Sequence, residues 1–76
     1  MSATVTTLDL KGLSCPMPIA KTAQAMRGMD AGEVVEVLAT DPGSAPDFRA
    51  WCEQTGNELI EHTEVDGVYR FVIRKA

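Results

Sequence analysis

A chain of 76 residues with 7 basic and 11 acidic side chains, a formal net charge of −4, is sized for one domain, residues 1–76. Its overall sign is wrong for non-specific binding to nucleic acid or to an anionic membrane. At 45% hydrophobic and 24% charged it has apolar material for one small core and little room for an internal cofactor cavity.

The N-terminal "MSATVTTLDL" lacks the cationic region and apolar run of a signal peptide, and no stretch approaches the ~18 apolar residues of a membrane span. A cytoplasmic location is therefore expected, where Cys15 and Cys52 remain free thiols. Val5 to Leu10, "VTTLDL", reads as a short strand rich in β-branched residues. After "KGLSC" the apolar positions Ile19, Ala23 and Met26 predict a helix from Pro16 to about Arg27, with Gly28 at C′. "MDAG" is a connector.

Val34 to Thr40, "VVEVLAT", is almost continuously apolar and reads as a central strand buried on both faces or nearly so. "DPGS" breaks it. Ser44 then reads as an N-cap with Asp47 at the capping-box position. Phe48, Trp51, Cys52 and Thr55 form one face of a second helix, closed by Gly56. The remainder is a hairpin: "NELIEHTEV" and "VYRFVIRK" flank Asp66-Gly67, a strong two-residue turn signal. With that loop Ile60 faces Ile73 and His62 faces Phe71. Tyr69, Phe71 and Ile73 point to the core, and Arg70 and Arg74 point out. The order βαβαββ predicts an α+β fold: a two-layer α/β sandwich, a four-stranded mixed sheet with two helices on one face.

The chemistry concentrates at "GLSCPMPIAK". Cys15 falls at the expected N-cap of the first helix, and Pro16 takes the first helical position, where a missing N–H costs nothing. Pro18 still lies in the first turn. Together they stiffen the entrance and fix where the sulfur points. The partial positive charge of a helix N-terminus favours a thiolate, so a lowered thiol pKa is expected, with Lys11 and Lys21 as electrostatic support. Gly12 lets the loop approach closely. The alternative for Cys15 is a small buried residue, which a helix N-terminus in a turn disfavours. There is no CxxC pair, no glycine-rich phosphate loop and no recognisable carboxylate pair, and the single histidine, His62, is placed in the third strand. A thiolate without base, second thiol or pocket suits accepting a group and handing it on. Cys52, on the apolar stripe with Phe48, reads as a core cysteine.

"LDLKGLSCPMP" resembles the N-terminal signature of the TusA (SirA-like) family of sulfur carriers: Asp9, Gly12, then Cys15, Pro16 and Pro18 as Cys-Pro-x-Pro. The likeness extends through "ATDPGSAPDF" and "GNEL" to "YRFVIRK". It implies a βαβαββ sandwich similar to the C-terminal domain of bacterial translation initiation factor three. It also implies that Cys15 accepts sulfane sulfur as a persulfide and relays it, with no metal and no cofactor beyond the covalently held sulfur. Implied donors are a cysteine desulfurase or a rhodanese-like sulfurtransferase, and the implied acceptor is a relay protein of the DsrE type. End uses in the family include tRNA thiolation, dissimilatory sulfur oxidation and molybdenum cofactor assembly. Met17 and Ser14 stand where the tRNA-thiolation members carry an acidic residue and arginine, and "TDPGS…DF…QTGNEL" is closer to members from sulfur-oxidising bacteria. Because one site must serve two partners in turn, a monomer is expected.

Three other readings compete. One is a thiol-based redox or regulatory module in which Cys15 is modified and the open sheet face binds a partner. Another is a metal site from Cys15, Cys52 and His62, whose spacings match no zinc pattern. The third is nucleic-acid binding through Arg70, Arg74 and Lys75, which more often form a solvated face in an acidic chain.

Overall fold

Six elements follow the predicted order in the computed structural model, which describes residues 5–76: β1 (Val5–Asp9), α1 (Met17–Met26), β2 (Val34–Ala39), α2 (Ser44–Thr55), β3 (Glu58–Val65) and β4 (Val68–Arg74). Residues 1–4, the start of the stretch read as carrying no signal peptide, lie outside the described residues. The sheet order is β1-β2-β4-β3, with β1 parallel to β2 and the other pairs antiparallel. The crossover through α1 makes the first pair parallel, and the final hairpin inserts β4 beside β2. No described helix is long and apolar enough to cross a membrane.

Both helices pack on one face of the sheet, as expected. Val35, Val37 and Ala39 of β2 and Phe71 and Ile73 of β4 are fully buried there, in one cluster with Leu10, Met26, Phe48 and Cys52. β2 is central but departs from the reading of a strand buried on both faces. Its residues alternate, with Val34, Glu36 and Leu38 half-buried on the side no helix covers. That side carries polar ties instead. The Arg70 guanidinium binds Glu36 through Nε and Glu61 through Nη1 at 2.9 Å, and Thr7 Oγ1 donates to Glu36 Oε1 at 2.9 Å. Arg74 pairs with Glu58 at 2.7 Å, and Lys75 Nζ donates to the Met29 carbonyl at 2.6 Å. The three terminal cations are thus all engaged within the chain.

The hydrogen bonds from Arg70 and then Thr7 hold the Glu36 carboxyl below its ordinary pKa. A depressed folded-state pKa gives stability that is present above the unfolded value and lost as pH falls through the folded one. Glu36→Gln is therefore expected to flatten the acid limb of stability. In urea titrations across the acidic range, the variant's midpoint should fall less steeply with pH than that of the wild type. Parallel acid limbs in the two proteins would contradict this.

Local signals held with shifts of one residue. Asp66 (φ 52°) and Gly67 (φ 79°) form the two-residue turn, and Val65 pairs with Val68 across it. His62 opposes Phe71 as read, but Ile73 faces Leu59 rather than Ile60, because the register shifts between Leu59 and Glu61. Ile60 is the extra residue of a bulge on an edge strand and is 43% exposed. Tyr69 is half-buried.

α1 begins one residue later than predicted. Pro16, not Cys15, is its N-cap, so Met17 rather than Pro16 takes the first helical position, and Pro18 still lies in the first turn. Its buried stripe is Pro18, Thr22 and Met26, with Ile19 and Ala23 half-buried beside it. Thr22 can be buried because its hydroxyl donates to the Pro18 carbonyl at 2.8 Å. The helix ends at Arg27, whose N–H bonds to the Gln24 carbonyl, and Gly28 follows without a left-handed turn. In α2 the N-cap is Gly43, and Ser44 is the first helical residue. Gly56, at φ 79°, closes α2 as expected, its N–H on the Cys52 carbonyl.

Candidate functional site

Because β1 and β2 are parallel neighbours, their C-terminal ends lie side by side, and the loops leaving them must meet. The loop after β1 is bonded to the end of β2 at three points. Leu10 N–H donates to the Leu38 carbonyl at 2.8 Å, Gly12 N–H to Thr40 Oγ1 at 2.9 Å, and Cys15 N–H to Asp41 Oδ2 at 3.1 Å. Gly12 adopts φ +86°, a left-handed conformation that glycine takes at no steric cost, and this turn brings its N–H to Thr40. Asp9 closes the preceding turn, its Oδ1 accepting from Lys11 N–H at 3.2 Å. The motif residues Asp9, Gly12, Cys15, Pro16 and Pro18 thus build one short loop and the first turn of α1.

Cys15 is exposed. Its Sγ lies 2.8 Å from Asp47 Oδ2 in the first turn of α2, and the thiol donates to that carboxylate. Asp47 was read as the capping-box acid of its own helix; its side chain turns to the cysteine instead. The electrostatic consequence corrects the sequence reading. The hydrogen bond to Asp47, some loss of hydration, and the charges of Asp47 and Asp41 push the Cys15 pKa up, where a depression was expected. A helix terminus offers only a partial positive charge, and at Cys15 the Asp47 and Asp41 carboxylates outweigh it. Cys15 also stands one residue outside the N-cap, and the first N–H of α1, that of Met17, is taken by the Ser14 carbonyl at 2.8 Å. Lys11 and Lys21 do not supply the expected support. Lys11 lies 3.9 Å from Asp9, and neither lysine contributes to the shift at Cys15.

Thr40, Asp41 and Asp47 were missed as site residues. The available signal was topological: a parallel βαβ unit brings "TDPGSAPD" beside "KGLSCP". The sheet places the rest of the chemistry elsewhere. Cys52 is buried in the core, as read, and its thiol pKa is raised by that burial. His62 stacks on Phe71 with ring centroids 4.9 Å apart. Among the described residues no group of three or more His, Cys, Asp and Glu side chains is placed to hold a metal ion. A groove between the two helices, lined by Ala23, Met26, Trp51 and Thr55, does not include Cys15.

Comparison with known proteins places the chain. It matches the family model described as Sulfurtransferase TusA over residues 6–75. It is 48% identical over 69 residues to the sulfur carrier protein TusA of Allochromatium vinosum, 91% of each chain being covered. Identity is 50% over 70 residues to a putative sulfur carrier protein of Halobacterium salinarum, covering 91% of this chain and 86% of that one. The crystal structure of a SirA-like protein from Desulfitobacterium hafniense superposes with a TM-score of 0.80 at 30% identity, over 93% of this chain and 96% of the other.

Proposed function

The chain belongs to the TusA family of sulfur carriers, and from that premise we propose that Cys15 accepts sulfane sulfur as a persulfide in the cytoplasm and passes it to an acceptor protein. The observation that carries this reading is the exposed Cys15 sulfur at the entrance of α1, on a loop hydrogen-bonded to the end of β2. An exposed thiol on a rigid loop meets the main demand of a carrier, which is to offer one sulfur to two partners in turn.

Loading is a thiol–disulfide type of exchange. Cys15 Sγ attacks the outer sulfur of a donor persulfide, the donor's S–S bond breaks, and the electron pair leaves on the donor thiolate. The sulfane sulfur keeps its oxidation state, so neither oxidant nor reductant is consumed. Delivery repeats the step with an acceptor thiolate attacking the outer sulfur on Cys15. The donor classes this fits are a cysteine desulfurase and a rhodanese-like sulfurtransferase, and the acceptor class is a DsrE-type relay protein. The pathway served is dissimilatory sulfur oxidation or tRNA thiolation. The redox-sensing alternative is motivated by a depressed thiol pKa, whereas Asp47 and Asp41 shift that of Cys15 upward.

The test is the intact mass of the reduced chain after incubation with a cysteine desulfurase and cysteine, and separately with a rhodanese and thiosulfate. A gain of one sulfur atom, removed by reductant, is expected from at least one donor. No gain from either, with the thiol shown to be free and alkylatable, overturns the reading.

Cys52 provides a control. Cys52 is only 4% exposed, packed among Met26, Phe48 and the sheet, out of reach of a partner's persulfide. Cys52→Ser is expected to load sulfur to the wild-type extent while unfolding at lower urea, because it buries a hydroxyl in an apolar site. A folded Cys52→Ser variant that no longer loads would contradict that placement.

A further inference from the structure

The contact between Cys15 and Asp47 bears on which state of the carrier is favoured, and the argument rests on the persulfide reading of Cys15. In the unloaded chain the thiol has a proton to give, and Asp47 Oδ2 accepts it at 2.8 Å. Asp41 holds the backbone N–H of the same residue at 3.1 Å, which anchors the loop that carries the sulfur. Loading changes what Sγ can do. Once bonded to the outer sulfur it carries no hydrogen, so the bond to Asp47 is lost and the carboxylate faces sulfur lone pairs. The outer sulfur of a persulfide is also more acidic than a thiol and ionises near neutral pH, which adds a negative charge beside Asp41 and Asp47.

We propose that Asp47 is a positioning residue that biases the carrier toward its unloaded state, holding Cys15 as a thiol and thereby favouring delivery of the sulfur over its retention. The atoms balance without a further reagent. In loading, Sγ forms its bond to the donor's outer sulfur as the donor's S–S bond breaks, and the Cys15 thiol proton ends on the donor thiolate that leaves. In delivery the acceptor sulfur takes the outer sulfur, its own thiol proton ends on Sγ, and the hydrogen bond to Asp47 is restored. A donor that brings a cation to Asp41 and Asp47 would lift the bias during loading, and its departure would reimpose it.

The test uses glutathione persulfide and glutathione at a fixed ratio, with the loaded fraction at equilibrium read by intact mass. The pH profile of iodoacetamide alkylation is recorded alongside. Asp47→Ala is expected to raise the ratio of loaded to unloaded chain about fivefold, the worth of one ordinary hydrogen bond. It should also move the alkylation profile to lower pH. Asp47→Asn keeps an acceptor but not the charge, and it should fall between Asp47→Ala and the wild type; it also serves if the alanine variant does not fold. A folded variant that matches the wild type in both measurements overturns the role of Asp47 and leaves the carrier reading intact. A wild type that takes no sulfur from glutathione persulfide or from the protein donors overturns the carrier reading and, with it, the bias.

Discussion

Cys15→Ser is expected to take up no sulfur from any persulfide donor while folding as the wild type does. The loss should be complete, because a serine oxygen does not form the S–S bond in which sulfane sulfur is stored and no second thiol is exposed. Cys52 is buried in the core, and Cys15 and Cys52 are the two cysteines of the chain. The fold should be indifferent to the change. Cys15 is exposed, it contributes nothing to the buried cluster, and a serine hydroxyl can still donate to Asp47. The variant should therefore separate chemistry from docking, occupying a donor and slowing sulfur transfer to wild-type chains while gaining no mass itself. Intact mass and a urea titration decide the matter. Sulfur on a folded Cys15→Ser chain would show that the site lies elsewhere, and a large drop in its urea midpoint would show that the loop is more deeply packed than its exposure indicates.

The contrast between these two cysteines was legible in the sequence, and the setting of the reactive one was not. Helix periodicity separates an inward Cys52 from a Cys15 standing among prolines, and both assignments use only local pattern. The electrostatics of Cys15 depend on Asp41 and Asp47, 26 and 32 residues further along the chain. Local reasoning found the helix dipole and the nearby lysines, and it missed the carboxylates that the loop after β2 and the start of α2 bring. The sheet shows the same division. Asp66-Gly67 fixed the turn and the pairing of His62 with Phe71, because turn geometry sets register at short range. The bulge at Ile60 arises farther from the turn, where the pairing of an edge strand is free to slip by one residue. In β2 an apolar run could not say which face was covered. Glu36 was the visible exception, and it marks the open face, where Arg70 meets it.

Phe71→Ala is expected to cost about 3–5 kcal/mol, the largest stability loss of any change considered above. Phe71 is fully buried on β4, a central strand between β2 and β3. Its ring stacks on Phe48 of α2 at 4.6 Å between centroids and on His62 of β3 at 4.9 Å, with Tyr69 at 6.4 Å. Removing it takes the contact from both the helix layer and the edge strand, and neither can collapse into the space without breaking the sheet register. Small domains fall at the low end of the ~5–15 kcal/mol typical of folded proteins, so much of the chain should be unfolded at room temperature. Ile60→Ala, in the exposed bulge, should by contrast stay within about 0.5 kcal/mol of the wild type. Thermal or urea unfolding measures both. The site should report the same loss independently. The Cys15 thiol owes its raised pKa to carboxylates on the loop after β2 and the first turn of α2, which only the folded chain holds in place. The fraction of Phe71→Ala chains that unfold should therefore alkylate as an ordinary thiol, at lower pH than the folded wild type. A Phe71→Ala variant with wild-type stability would refute the packing described here, and one that unfolds while keeping the wild-type alkylation profile would refute the part assigned to Asp41 and Asp47.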